Sequence, residues 1–277
     1  MPELPEVETV RRGVEPHVLG QRILRALVRE PRLRWPVPPD FAAWVAGRRI
    51  VGTDRRGKYL LLLLEGEPGA PPDRLIVHLG MSGRLLVVAR DVPLRKHDHL
   101  DLELEGGLVL RYHDPRRFGA VLPWPAAQGA HPLMETMGPE PFSADFHGDY
   151  LFQRSRGKSA AVKTFLMDGG VVVGAGNIYA AESLFRAGIR PTRPAGKLTR
   201  AEYARLAERV REVLAEAVEQ GGTTLRDFAG ADGRSGYFQQ DLYVYGREGE
   251  ACRVCGTAIK SLRLGNRQSC YCPRCQR

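Results

Sequence analysis

The chain opens MPELPEVETV, with Pro2 followed by carboxylates at Glu3, Glu6 and Glu8. A small second residue permits removal of the initiator methionine, and Pro2 then carries a free secondary amine. An α-amino group titrates at roughly 7.7 to 8.0 when unperturbed. A helix beginning beneath it disfavours the cation and lowers that value. The neutral amine, able to act as a base or as a nucleophile, is therefore accessible near neutrality. On residue type alone the three glutamates complement the dipole of such a helix, each worth ~0.3–1 kcal/mol.

The opposite end reads CRVCGTAIKSLRLGNRQSCYCPRC. Cys252 and Cys255 form one C-x2-C knuckle and Cys272 and Cys275 a second, with sixteen residues between them. This is the spacing of a four-thiolate zinc site, each knuckle giving two sulfurs to one edge of a tetrahedron. Four protein ligands leave no open position, so a zinc ion here is structural and holds a segment too small for its own core. Cys270 reads as a packing residue. Residues 251 to 277 hold six basic and no acidic side chains. Even after the net charge of a zinc tetrathiolate, the module stays positive and suits phosphate.

Two kinds of element must position these ends. Residues 4 to 18 carry Leu4, Val7, Val10, Val14 and Val18 at the spacing of a one-sided helix. From about 22 to 122 the signature is short β-rich runs separated by turn glycines, an antiparallel sandwich or barrel. Proline and glycine between Pro123 and Pro141 mark a linker. Helices are expected near 143–154, 159–168, 177–187 and 200–219, the last opened by Thr199 and Glu202 in capping-box spacing. A glycine-rich loop follows over 223 to 240. The class is α+β, with domains expected over 1–134, 135–228 and 229–277.

Composition narrows the partner. Of 277 residues, 41 are Lys or Arg against 32 Asp or Glu, a net charge of +9. Of those basic residues, 35 are arginine, whose donor fork matches phosphate. Nucleic acid fits this excess better than an anionic membrane surface; a GC-rich genome or a heat-adapted host would also raise arginine. The longest apolar run, Tyr59 to Leu64, is far short of the ~20 residues of a membrane span. The acidic N-terminus lacks the layout of a secretory signal. A reducing, cytoplasmic location is expected, without disulfides.

Two strand-linked turns, HLGMSGRL around Met81 and YHDPRRFGAV around Arg116, Arg117 and Phe118, each place a long apolar or cationic side chain at a turn. Apolar side chains beside arginines serve duplex-bending proteins as wedges between base pairs, although both also suit inward packing. GAGNIYAAE lacks the third glycine of a dinucleotide fingerprint, since Tyr179 stands there. It reads as a glycine turn entering a helix, with Asn177 near the cap.

PELPEVE, RRGKYLL at 55–61, HLGMSG at 78–83, DPRRFG at 114–119, GAGNIYAAESLFRAGI at 174–189 and the closing NRQSCYCPRCQ together resemble the formamidopyrimidine-DNA glycosylase family, over essentially the whole chain. The resemblance implies a β-sandwich with flanking helices, a helix-two-turn-helix domain and a four-cysteine zinc finger. It implies base-excision repair of double-stranded DNA holding oxidised purines or abasic sites, by a monomer. Pro2 becomes the nucleophile that attacks the sugar, Glu3 the general acid/base, Glu6 a second carboxylate of the site, and Lys58 a catalytic phosphate contact. His78, Asn177 and Arg267 grip the backbone; Met81, Arg116 and Phe118 fill the void left by an extruded base, with Arg117 adjoining. Glu8 keeps only its helix-stabilising role. The chain departs from the family pattern at Ala181, often aspartate, and at Gly169 and Gly170, often polar. Three rivals explain part of this sequence: the sister enzyme for oxidised pyrimidines, which usually opens PEGPE; a zinc-ribbon protein that binds nucleic acid without cutting it; and a tautomerase with a proline base.

Overall fold

A computed structural model describes residues 2–221 and 242–277, so the loop expected over 223 to 240 lies outside the described residues. The chain divides after Met134 into two compact units.

The first unit begins with α1 (Leu4–Val18), whose Leu4, Val7, Val10, Val14 and Val18 are all buried, as their spacing requires. Strands β1 (Ile23–Val28), β2 (Ile50–Arg56), β3 (Tyr59–Leu64), β4 (Asp73–His78), β5 (Arg84–Ala89), β6 (Asp98–Leu104), β7 (Leu108–His113) and β8 (Ala120–Trp124) follow, with α2 (Phe41–Val45) between β1 and β2. They form two antiparallel sheets, ordered β1-β6-β7-β5 and β2-β3-β4-β8. This is the sandwich form of the two expected all-β arrangements. Helix α1 packs against β2 and β3 of one sheet and β5 of the other. In the run YLLLLL at β3, Leu60, Leu62 and Leu64 join the α1 valines in one core, while Leu61, on the opposite face, is buried as well. Helix α2 was not anticipated: only Phe41 and Val45, one turn apart, mark its buried face.

Strand β6 is buried along its whole length although it reads DHLDLEL. Leu100, Leu102 and Leu104 enter the core, while its acids meet arginines. Arg111 forks onto Asp101 with both bonds at 3.0 Å, and Arg29 reaches the same carboxylate at 2.8 Å. Buried charges persist only when paired this way.

The short α3 (Pro132–Glu135) closes the first unit; the second holds α4 (Gly148–Ser155), α5 (Val162–Leu166), α6 (Asn177–Arg186) and α7 (Arg200–Glu219), and the hairpin β9 (Lys260–Leu264) and β10 (Arg267–Tyr271). Thr199 and Glu202 form the expected capping box on α7, with Glu202 Oε2 accepting the Thr199 N–H at 2.8 Å. Helices α4 and α5 are shorter than their sequence periods suggest, since the chain turns into them through bends at 141–147 and 157–161.

Candidate active site and nucleic-acid interface

Glu3 caps α1 in extended backbone, and Glu6 Oε2 accepts its N–H at 2.7 Å. Pro2 is buried, and Glu3 and Glu6 are 3% and 1% exposed. The carboxylates are thereby withdrawn from bulk water at the helix end that Pro2 precedes. Glu8 does more than stabilise the helix, which corrects the reading from sequence. It pairs with Arg11, Arg12 and Arg55 at 2.9, 2.8 and 3.3 Å. Burial alone would raise its pKa, but hydrogen bonds from Arg11 and Arg12 and the charges of Arg11 and Arg55 hold it below the usual range. Arg55 also donates to the Gly57 carbonyl at 3.0 Å. Helix α1 is therefore braced to the two-residue turn Gly57–Lys58, where Gly57 takes φ 56° as a tight hairpin needs.

His78 ends β4 with its ring stacked on Tyr59 at 4.8 Å and edge-on to Trp35 at 6.3 Å. Burial, with Arg34 and Lys58 nearby, lowers its pKa to about 4, so the imidazole is neutral at physiological pH. Its Nδ1 is buried without a hydrogen-bond partner among the described residues.

The Met81 and Arg116 turns are joined backbone to backbone. A Cβ at Gly80 would lie 2.5 Å from Gly119 N, and one at Gly119 would lie 2.2 Å from His78 O. Only glycine allows this approach. Asp114, 0% exposed, links the pair. It accepts from Ser82 Oγ at 2.8 Å, Gly119 N at 2.9 Å and Tyr112 OH at 3.3 Å, and its Oδ1 also meets the Arg116 N–H at 3.3 Å. Arg117 sits at φ 55°, a backbone few non-glycine residues adopt, and the turn sets the Arg116 guanidinium 4.7 Å over the Phe118 ring. Phe118 is 44% exposed and Met81 half-buried, so neither is consumed by the core. Arg117 is tied to Glu30 at 3.3 Å, unlike its neighbour.

In the second unit a buried lysine that sequence reading missed organises the predicted contacts. Lys163 is 1% exposed. Its Nζ donates to Asn177 Oδ1 at 2.7 Å, Ser269 Oγ at 2.9 Å and Gln268 O at 3.2 Å. It thereby orients the Asn177 amide at the start of α6 and fixes β10, whose first residue is the exposed Arg267. Gly265 and Asn266 at φ 52° and 61° make the tight turn that presents Arg267. Glu182 on α6 accepts three consecutive N–H groups, of Tyr243, Val244 and Tyr245, at 2.8, 3.0 and 2.9 Å. That carboxylate anchors the chain where it re-enters the described residues.

The four knuckle sulfurs lie within 4.8 Å of one another, with Cys252–Cys275 and Cys255–Cys272 separations of 3.9 and 3.5 Å. Tetrahedral zinc with bonds of ~2.3 Å spaces its sulfurs ~3.8 Å apart, so the cluster fits the ion. Cys270 is 2% exposed and packs in the apolar cluster beneath the finger.

Of the missed residues, Asp114 carries a signal: Asp before Pro opens turns through its own side chain. Lys163 shows only as the lone charge in AVKTFL.

Family models for the formamidopyrimidine-DNA glycosylase N-terminal domain, its H2TH domain, and the zinc finger found in FPG and IleRS match residues 1–121, 137–229 and 249–277. The chain is 57% identical to the formamidopyrimidine-DNA glycosylase of Stutzerimonas stutzeri (strain A1501) and 58% to that of Pseudomonas putida (strain GB-1), in each case across 100% of both chains. It superposes on the crystal structure of MutM (Fpg) from Thermus thermophilus with a TM-score of 0.86 and 41% identity, covering 99% of this chain and 98% of that one. Lactococcus lactis Fpg in complex with abasic-site DNA gives 0.89 and 34%, with 99% of each chain covered. No described helix is long and apolar enough to cross a membrane. Matched by three family models in order and by full-length relatives well above half identical, the chain belongs to the formamidopyrimidine-DNA glycosylase family.

Proposed function

We propose that this chain excises oxidised purines, 8-oxoguanine and formamidopyrimidines, from duplex DNA and cleaves the strand, using the Pro2 nitrogen as nucleophile. One observation carries the chemistry: Pro2 is buried immediately before a helix whose cap holds two buried carboxylates, Glu3 and Glu6. Solved complexes of L. lactis Fpg with abasic-site and Fapy-dG containing DNA support the substrate class.

The freed amine attacks C1′, the glycosidic bond breaks, and the base departs with the bonding pair and a proton. Ring opening leaves an iminium between Pro2 and the sugar. A secondary amine keeps this adduct charged, so it draws electrons from the C2′–H bond. Loss of that proton expels the 3′-phosphate, a second elimination expels the 5′-phosphate, and hydrolysis returns the amine. Glu3 moves the sugar protons, and Glu6, bonded to the Glu3 N–H, steadies it. Lys58 and His78 hold phosphate beside the lesion, and Asn177 and Arg267 hold it in the second unit. Extruding a base costs a few kcal/mol, and Met81, Arg116 and Phe118, with Arg117 beside them, offset part of that by filling the gap. Cys252, Cys255, Cys272 and Cys275 hold a zinc ion that fixes the finger and takes no part in the reaction. The protein acts as a monomer, with domains over 1–134, 135–228 and 229–277.

The test is borohydride trapping on a duplex with 8-oxoguanine opposite cytosine. The wild-type protein should form a covalent adduct, and the cut ends should both carry phosphate. Pro2→Glu, whose bulk also blocks removal of the initiator methionine, should bind duplex without an adduct. An undiminished adduct from that variant rules out the Pro2 nucleophile. Preference for an oxidised thymine would instead indicate the pyrimidine-type enzyme.

A further inference from the structure

Most arginines described in the first unit have a carboxylate partner, from Arg11 on α1 to Arg117 beside Glu30. Arg34 does not. It is exposed, and its guanidinium makes no ion pair or hydrogen bond among the described residues. Instead its Cζ lies 4.6 Å from the centre of the Trp35 ring. A guanidinium stacked by its face keeps its in-plane N–H fork open to an oxyanion, and stacking removes much of the entropy cost of using it.

Two contacts fix where that fork is held. The Arg34 N–H donates to the Gly119 carbonyl at 3.1 Å, at the end of the turn carrying Arg116 and Phe118. Trp35 is edge-on to His78 at 6.3 Å. The Arg34 charge acts on both His78 and Tyr59, and that of Lys58 acts on His78 as well. Two cations therefore converge on one neutral imidazole. The carboxylate His78 senses is Asp114, already engaged by Ser82, Gly119 and Tyr112.

We infer that Arg34, stacked on Trp35, binds a backbone phosphate of the DNA beside Lys58 and His78, and through Gly119 couples that grip to the turn bearing Arg116 and Phe118. This rests on the DNA-repair reading above.

The experiment measures affinity of the full-length protein for a duplex holding a tetrahydrofuran abasic analogue, across a salt series. Arg34→Ala should flatten the slope of log K against log salt by about 0.9, one phosphate's worth. It should weaken binding about tenfold, the scale of one charge-assisted hydrogen bond. Arg34→Lys should restore the slope but only part of the affinity, because lysine lacks the planar fork. Thermal unfolding of both should stay close to wild type, since the side chain gives up its exposed stack on Trp35 and no hydrogen bond or ion pair among the described residues. Single neutral methylphosphonate linkages, placed in turn along the strand, should reveal one position that weakens wild type but not Arg34→Ala. An unchanged slope, or identical methylphosphonate penalties in both proteins, overturns the inference while leaving the repair activity standing. Absence of salt-dependent duplex binding by wild type would instead overturn the repair reading and this one with it.

Discussion

Asp114 offers the sharpest check on how the Met81 and Arg116 turns are held. Its carboxylate is fully buried and accepts from Ser82 Oγ at 2.8 Å and Gly119 N at 2.9 Å, with Tyr112 OH and Arg116 N at 3.3 Å. Hydrogen bonds to a charged group contribute about 1.5–3 kcal/mol each. Asp114→Ala deletes the two short ones and leaves a buried N–H and hydroxyl without this acceptor, a loss of about 3–5 kcal/mol. That is a large share of a total stability of about 5–15 kcal/mol. Asp114→Asn is the more informative change because the shape is kept. Whichever way its amide turns, an NH2 group faces a backbone N–H, either of Gly119 or of Arg116, costing about 1–3 kcal/mol. Guanidinium unfolding measures this directly. On the proposed gap-filling role of the turns, the functional consequence should be selective: excision from an 8-oxoguanine duplex falls about 10–100-fold, those same kilocalories expressed as rate. Trapping on a single-stranded abasic oligonucleotide, which leaves no gap to fill, should stay near wild type. Equal losses on both substrates, or an Asn variant as stable and active as wild type, would refute Asp114 as the brace of these turns.

Asp101→Ala removes the two 3.0 Å bonds of Arg111, which is 2% exposed, and should cost about 3–5 kcal/mol in denaturant unfolding; a loss below about 1 kcal/mol would mean that Asp98 and the Val92 and Pro93 carbonyls suffice for that guanidinium. Stripping metal with a chelator should abolish duplex binding and lower the melting temperature of the second unit, because its hairpin β9–β10 is too small to fold without the ion; an unaltered melt would show the four thiols need none. Glu202 is held at about 2, chiefly by its hydrogen bond from Arg193. The unfolded chain, at the ordinary 4.5, takes up the proton first as pH falls. The stabilisation is therefore complete above about pH 4.5 and lost towards pH 2, and Glu202→Gln should flatten the unfolding curve in that window.

The sequence by itself determined whatever depends on neighbours along the chain. The buried stripe of α1, the short β-rich runs between turn glycines, the Thr199–Glu202 capping box and the two cysteine knuckles are all set by spacings of a few residues, and each forms as read. The short helix α2 escaped because five residues give too little period to separate helix from loop. Only the tertiary structure decided how the candidate site is braced. Ser82 meets Asp114 across 32 residues, Glu8 meets Arg55 across 47, Glu182 meets the Tyr243 backbone across 61, and Lys163 meets Ser269 across 106. Such partners leave no periodicity in the chain. They are chosen because a buried charge must find donors or acceptors wherever the packed backbone offers them, and that offer exists only after the sheets and helices have come together.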